Sequence, residues 1–228
     1  MRFTQLITDT LAVFAPRPCQ ALSLPEQFSR IARKEVDGEL TMTTQFWAIE
    51  SFGQLRVVHI FSPKINVLTL FFFPSQAQPL PVYCLELVVF GNQPIVGLLD
   101  AVCLMPMPCA DDVRAFMAAA HQQHPDLLQA NDTPEWFEAC RSGQDFFIRP
   151  RGEDDMEMLA ALHLRLLARD FIPLLKQAKP LNEQQADKHQ QLLQGYKHHH
   201  RTNAPGLKLM NRSFGEQWTA DYMNFLFQ

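Results

Sequence analysis

The 228-residue chain has no Gly-x-Gly-x-x-Gly and no phosphate loop, so nothing in it speaks for a bound nicotinamide or flavin nucleotide. It has no Cys-x-x-Cys pair. Its five cysteines (Cys19, Cys84, Cys103, Cys109 and Cys140) are an odd number without zinc or iron–sulfur spacing, and reduced thiols are expected. It lacks a basic excess: a formal net charge of −4 argues against a general nucleic-acid binder, which needs a basic surface. It lacks a long apolar run. The longest stretches, 67–74 and 82–90, are far too short to span a bilayer, and no secretory leader pattern opens the chain, so a cytoplasmic protein is expected. Tyrosine and tryptophan are scarce, at 3 each, against 18 phenylalanines. Phenylalanine adds bulk without a polar handle, which suits a Phe-rich core or an aromatic-lined pocket.

With 47% hydrophobic and 19% charged residues, the composition is that of an ordinary globular protein long enough for one large core. No internal repeat or flexible linker divides it, so one domain over 1–228 is the simplest organisation. Residues 3–14 and 25–36 read as helices, with Pro16 and Pro18 breaking the chain between them. Residues 41–47, 55–61, 67–73, 82–90 and 95–104 read as strands bounded by Gly, Pro or Asn. The short gaps between them favour antiparallel neighbours, because parallel crossovers need a dozen or more residues. Two of the runs are apolar at nearly every position, which predicts cover on both faces.

The remainder reads as helix. Residues 111–121 form one, with Asp111 or Asp112 as cap. Residues 153–179 form a long amphipathic stretch that Pro173 ends or kinks. Residues 181–202 are rich in Gln, Leu, Lys and Glu, with Asn182 as N-cap and Pro205-Gly206 as stop. Trp218, Tyr222 and Leu226 recur every fourth residue on a last helix. Helices before and after a buried antiparallel sheet give a three-layer α/β/α sandwich. The His198-His199-His200 run cannot converge on one ion, since neighbouring helix residues face apart, and no metal site is expected.

Four ordered pieces carry a resemblance. Tyr196 is followed by Asn203, then Phe214-Gly215, Trp218 and Tyr222 before an apolar end. Arg56-Val57-Val58-His59 is an Arg-x-x-His on a strand. Phe73-Pro74 precedes Leu80-Pro81-Val82-Tyr83 and Glu86-Leu87-Val88. Pro134 and Trp136 precede Phe147-Ile148-Arg149-Pro150. In order and spacing these resemble the ferredoxin-dependent bilin reductases, with a more distant similarity to the red chlorophyll catabolite reductases. The resemblance implies the same α/β/α sandwich and the reduction of a biliverdin-like linear tetrapyrrole by single electrons from reduced ferredoxin. It implies no redox cofactor held by the chain itself, and a monomer is expected. The alternatives are a reductase of another open-chain tetrapyrrole, such as a chlorophyll catabolite, and a bilin-binding protein without catalysis.

The resemblance also assigns roles. Glu86 stands where the family usually carries a proton-donating aspartate, and His59 is its helper. Thr69 stands where some members have His and others Asn. Thr69, Arg149, Asn203, Phe73 and Tyr83 are assigned to substrate binding. Ala204 replaces a family aspartate, and Phe61 falls where one subfamily has Glu. Independently of any family, Glu86 lies in the apolar run 82–90: buried without a partner, its carboxyl would titrate high and be a candidate general acid, the alternative being an exposed strand face or a pairing with a structural Arg. Asp100 ends a strand and reads as a turn cap. For an acidic ferredoxin, two basic clusters offer a docking face: Arg30, Arg33 and Lys34, or Lys197, Arg201, Lys208 and Arg212.

Overall fold

The computed structural model describes residues 3–15, 18–36, 38–128 and 133–228; Pro16 lies outside them. One antiparallel sheet organises these residues. Its strands are β1 (Cys19–Ala21), β2 (Arg30–Glu35), β3 (Gly38–Ile49), β4 (Gly53–Ser62), β5 (Ile65–Pro74), β6 (Val82–Phe90), β7 (Gln93–Val102) and β8 (Phe146–Ile148). They lie in the order β1-β3-β4-β5-β6-β7-β8, and β2 shares the outer edge of β3 with β1. The sequence-adjacent hairpins follow from the short connections, and the five long predicted strands all form.

Each face carries its own core. Leu55, Val57, Leu68, Leu70, Phe72, Leu85 and Leu87 point to one side. There they meet α1 (Phe3–Phe14), α3 (Ala110–Gln123), α5 (Glu153–Leu166) and α6 (Ile172–Gln177). Met42, Phe46, Val58, Ile60, Phe71, Cys84 and Leu98 point to the other. There they meet α4 (Glu135–Glu138), α7 (Glu183–Asn203), α8 (Gly206–Phe214) and α9 (Glu216–Leu226). The middle strands are therefore buried on both faces, as near-continuous apolar runs require. This is the expected three-layer α/β/α sandwich. Close approach of α5 to the sheet falls at Gly97, where an added Cβ would stand 2.6 Å from Leu159 Cδ2.

Three expectations are corrected. Residues 25–36 are not one helix: α2 (Glu26–Ser29) is a single turn, and Arg30–Glu35 forms β2. Its residues have helical propensity, but the open edge of β3 offers them a ladder, and context outweighs propensity. The N-cap of α3 is Cys109, not Asp111 or Asp112, which occupy the first turn and favour the positive end of the helix. Pro173 does not end the helix, the first of the two outcomes expected of it. Residues Leu167–Phe171 form a π turn between α5 and α6, and the wider turn accommodates the missing proline N–H and the bulk of its ring. That turn swings Phe171 onto Phe72 and Tyr83, with ring centroids at 5.1 and 5.2 Å.

Helix α7 starts as predicted. The Asn182 side chain accepts from Gln185 N at 2.9 Å, and the Gln185 side chain reaches back to the Asn182 amide, a reciprocal capping box. Pro205 then separates α7 from α8. Of the three consecutive histidines only His200 is buried. Among the described residues no group of acidic, His and Cys side chains is placed to hold a metal ion. No helix there is long and apolar enough to cross a membrane.

Candidate functional site

In an antiparallel sheet, directly paired residues point to the same face. The pairs Thr44–Val58, Val58–Thr69, Thr69–Glu86, Glu86–Leu98 and Leu98–Phe147 therefore make one continuous row across five hairpinned strands and β8. Val58, Leu98 and Phe147 belong to the core beneath α7–α9, so the whole row faces the C-terminal helices. Thr44 Oγ1 and Tyr222 Oη, 2.9 Å apart, pin α9 to one end of the row. The Arg149 guanidinium lies 5.3 Å over the Phe147 ring at the other.

Glu86 sits mid-row, directly opposite Thr69, and both are half-buried. Among the described residues, no hydrogen bond or ion pair satisfies the Glu86 carboxyl. Desolvation by its apolar neighbours raises its pKa from 4.5 to about 7. A half-buried acid of that pKa can give a proton near neutrality and recover it.

The assigned residues divide between the two layers. Thr69, Phe73, Glu86 and Arg149 lie on the α7–α9 side. His59 and Tyr83 do not: His59 is one residue from Val58 and Tyr83 three from Glu86, and an odd offset along a strand points to the opposite face. His59 Nε2 is 2.9 Å from Asn66 Oδ1, and its ring meets Phe3 edge-on at 6.2 Å. Tyr83 is fully buried beneath α5, its hydroxyl 2.9 Å from His163 Nδ1, while His163 Nε2 lies 2.9 Å from Thr10 Oγ1. That chain of hydrogen bonds ties α1, α5 and β6 together. Phe73 is on the right side but buried at 2% exposure, stacked on Phe71 at 5.2 Å and edge-on to Phe227 at 6.1 Å, so it packs the layer. Asn203 is exposed at the end of α7, where its Nδ2 donates to His199 O at 3.0 Å and caps the helix's last turn.

Beside the row lies a second polar group, whose members the sequence did not bring together. Cys84 and Asp100 are paired neighbours on the same face. The Tyr196 hydroxyl hydrogen-bonds the Cys84 thiol. Asp100 is completely buried. It accepts from Ala101 N at 2.7 Å, from Ser142 N at 2.9 Å and from Ser142 Oγ at 2.5 Å. These bonds favour its charge, yet burial dominates and raises its pKa to about 7. Asp100 thus does serve as a cap, but of a loop 42 residues away. No local pattern announces such a partner.

The basic clusters also rearrange. On β2, Arg33 faces the C-terminal helices and donates to Arg212 O and Ser213 O at 2.6 and 2.7 Å, capping α8. Arg30 and Lys34 have the other parity and face away from it. Lys197 is buried, donating to Gln228 O at 2.7 Å above Phe73, which removes it from any docking face. Arg56 is buried beside it. It bonds Leu226 O and Gln54 Oε1 and lies 4.6 Å over Phe46, and burial lowers its pKa to about 10. These two cations fasten the chain's last residues to the sheet.

A cavity of about 340 Å³ lies elsewhere. It lies by the turns 62–65 and 90–94 and the start of α5, lined by Phe3, Phe61, Asn66 and Glu153. Neither Glu86 nor Thr69 touches it, and its open apolar and polar walls converge on no group of unusual reactivity. The isolated acid outweighs cavity size in locating the chemistry.

The buried titratable groups predict a particular acid response. Burial lowers His163 and His200 from 6.5 to about 3, so both are neutral in the fold. Their contribution to stability is complete above pH 6.5 and is lost as the pH falls toward 3. Glu86 and Asp100, raised to about 7, act oppositely: their contribution is present below their unfolded values and is lost as pH rises to 7. The urea midpoint is expected to change little between about pH 6.5 and 4.5, where the two pairs oppose, and to fall steeply below about pH 4. A steady fall beginning at pH 6.5 would show that the carboxyl pair does not titrate as described.

The comparisons with known proteins bear on the family and the fold. The model of the ferredoxin-dependent bilin reductase family matches residues 9–228. Among solved structures, phytochromobilin synthase from tomato, in complex with biliverdin, superposes with a TM-score of 0.78 at 16% identity, covering 99% of this chain and 83% of that one. At that identity the likeness concerns the fold. Among curated protein sequences, none matches. With a family model spanning the sheet, both helical layers and the Glu86 row, the chain belongs to the ferredoxin-dependent bilin reductases.

Proposed function

We propose that this chain reduces a biliverdin-like linear tetrapyrrole, taking electrons one at a time from reduced ferredoxin. For each double bond reduced, two electrons enter from outside and two protons are added to the pigment. Glu86 delivers at least one of them. The observation that carries this reading is the unpartnered Glu86 carboxyl with its pKa near 7, on the sheet face beneath α7–α9, within a chain of this family. Thr69, directly opposite, supplies a hydroxyl that can hydrogen-bond a pigment polar group beside the acid. Arg149 offers a guanidinium at the end of the row for a propionate, which it can bind in a bidentate fork. His59 and Tyr83 have structural roles in this scheme. The chain acts as one unit, without a redox group of its own, in the cytoplasm.

The test is optical. Purified protein mixed with biliverdin is expected to shift the pigment's absorption and saturate at about one equivalent. Reduced ferredoxin then bleaches or shifts the bound pigment, while NADPH without a mediator leaves it unchanged. Turnover should hold below about pH 7 and fall above it, because the donor must be protonated. Binding without turnover by any ferredoxin tried would leave a bilin-binding protein. Efficient turnover on NADPH alone would contradict an external one-electron donor.

A further inference from the structure

Cys103 and Cys109 bracket the link from β7 to α3, and the reaction proposed above uses neither. Cys103 follows the last residue of β7, and Cys109 is the N-cap of α3, a helix of 14 residues. The intervening Leu104-Met105-Pro106-Met107-Pro108 turns the chain so that the two thiols hydrogen-bond each other. Cys109 Sγ also donates to Pro79 O at 3.0 Å. Both residues are half-buried, neither sealed in the core nor fully exposed. A cavity of about 120 Å³ opens onto Cys103, walled by Arg114, Ser142 and Gln144, and Gln144 Oε1 is buried there without a partner.

The other cysteines lack this setting. Cys84 and Cys140 are buried. Cys19 is half-buried like the pair, but it stands alone, and desolvation holds its thiol above the ordinary range. A reactive thiol needs access, a group that stabilises the thiolate, and a nearby resolving sulfur. Among the described cysteines, only this pair meets all three conditions.

We infer that Cys103 and Cys109 are a redox-active dithiol, a site that a low-molecular-weight disulfide such as oxidised glutathione converts to an intramolecular disulfide. Cys109 is the attacking sulfur. The S–H of Cys103 and the Cys109 amide favour its thiolate and lower its pKa, and the same sulfur contact, with burial, keeps Cys103 protonated. The proton lost is the one Cys109 shares with Pro79 O. In the first exchange the Cys109 thiolate bonds one sulfur of the small disulfide and releases the other half as a thiolate. In the second, Cys103 gives up its proton, bonds the Cys109 sulfur and releases the remaining half. Two protein thiols are oxidised by two electrons, and one small disulfide is reduced to two thiols.

The test uses the full, reduced chain under native conditions. After incubation with oxidised glutathione, intact mass is expected to fall by two hydrogens with no retained adduct. Fragmentation should place the bond between Cys103 and Cys109. Cys103→Ser, nearly isosteric, should instead trap glutathione on Cys109, and Cys109→Ser should react at least about tenfold more slowly than Cys103→Ser. Limited iodoacetamide should label Cys109 at least about tenfold faster than Cys19. Five unmodified thiols after incubation, or oxidation mapped to Cys19, would overturn the inference. Equal adduct formation in both serine variants would overturn the choice of Cys109 as attacking sulfur.

Discussion

Glu86→Gln is expected to bind the tetrapyrrole as well as wild type does and to form product roughly 10²–10⁴-fold more slowly, the usual loss with a general acid. The amide keeps the shape and hydrogen-bonding capacity of the protonated carboxyl but has no transferable proton. The effect should be large because no other acid shares this row. Thr69 is the direct partner of Glu86, Val58 and Leu98 are its flanks, and Asp100 is committed to Ser142 and Ala101. In the proposed scheme the electron comes from outside and only the proton from Glu86, so one-electron-reduced pigment should accumulate and be visible by absorption or spin resonance. Glu86→Asp restores the family's usual residue one methylene short of the present reach, so partial activity or a changed product is expected. Anaerobic turnover followed by product chromatography decides. Wild-type rates in Glu86→Gln would remove this residue from the mechanism.

Gly53→Ala is expected to be the most damaging small substitution in the sheet, costing more than about 3 kcal/mol. Gly53 opens β4 with φ at +157°, and a Cβ there would lie 2.1 Å from Phe73 O and 2.9 Å from Pro74 Cα. Both are backbone atoms, so relief requires moving the β4–β5 ladder itself. The comparison is Gly97→Ala. There the obstacles are Leu159 Cδ2 at 2.6 Å and Ile148 Cγ1 at 2.9 Å, the ends of side chains that can turn aside. Overpacking of that kind costs about 1–3 kcal/mol. Urea denaturation of the two variants should rank Gly53→Ala well below Gly97→Ala. The reverse order would mean that the β4–β5 end yields more easily than the seam between α5 and the sheet.

The elements followed from local chemistry. Apolar runs bounded by Gly, Pro and Asn produced the five long strands, and short gaps made them antiparallel. Asn182 with Gln185 set the start of α7, and Pro205 separated it from α8. Glu86 stood out because burying an unpaired carboxylate within an apolar run is costly. Strand register was beyond local chemistry, and register decides parity. Because β4 pairs with β5 through Val58–Thr69 and β5 with β6 through Thr69–Glu86, His59 and Tyr83 turn to the α1–α5 layer. A shift of one residue would have exchanged every assignment. Long-range partners were likewise hidden. Ser142 for Asp100, His163 for Tyr83, and the chain's last residues for Arg56 and Lys197 are contacts between segments with no shared pattern. Arg30–Glu35 became a strand only because the edge of β3 was open to it. Sequence by itself determined the five long strands, the start of α7 and which acid is out of place, since these depend on neighbours along the chain. The tertiary structure alone decided which side chains face one another, since that depends on hydrogen-bond registers and packing closed between residues far apart in the chain.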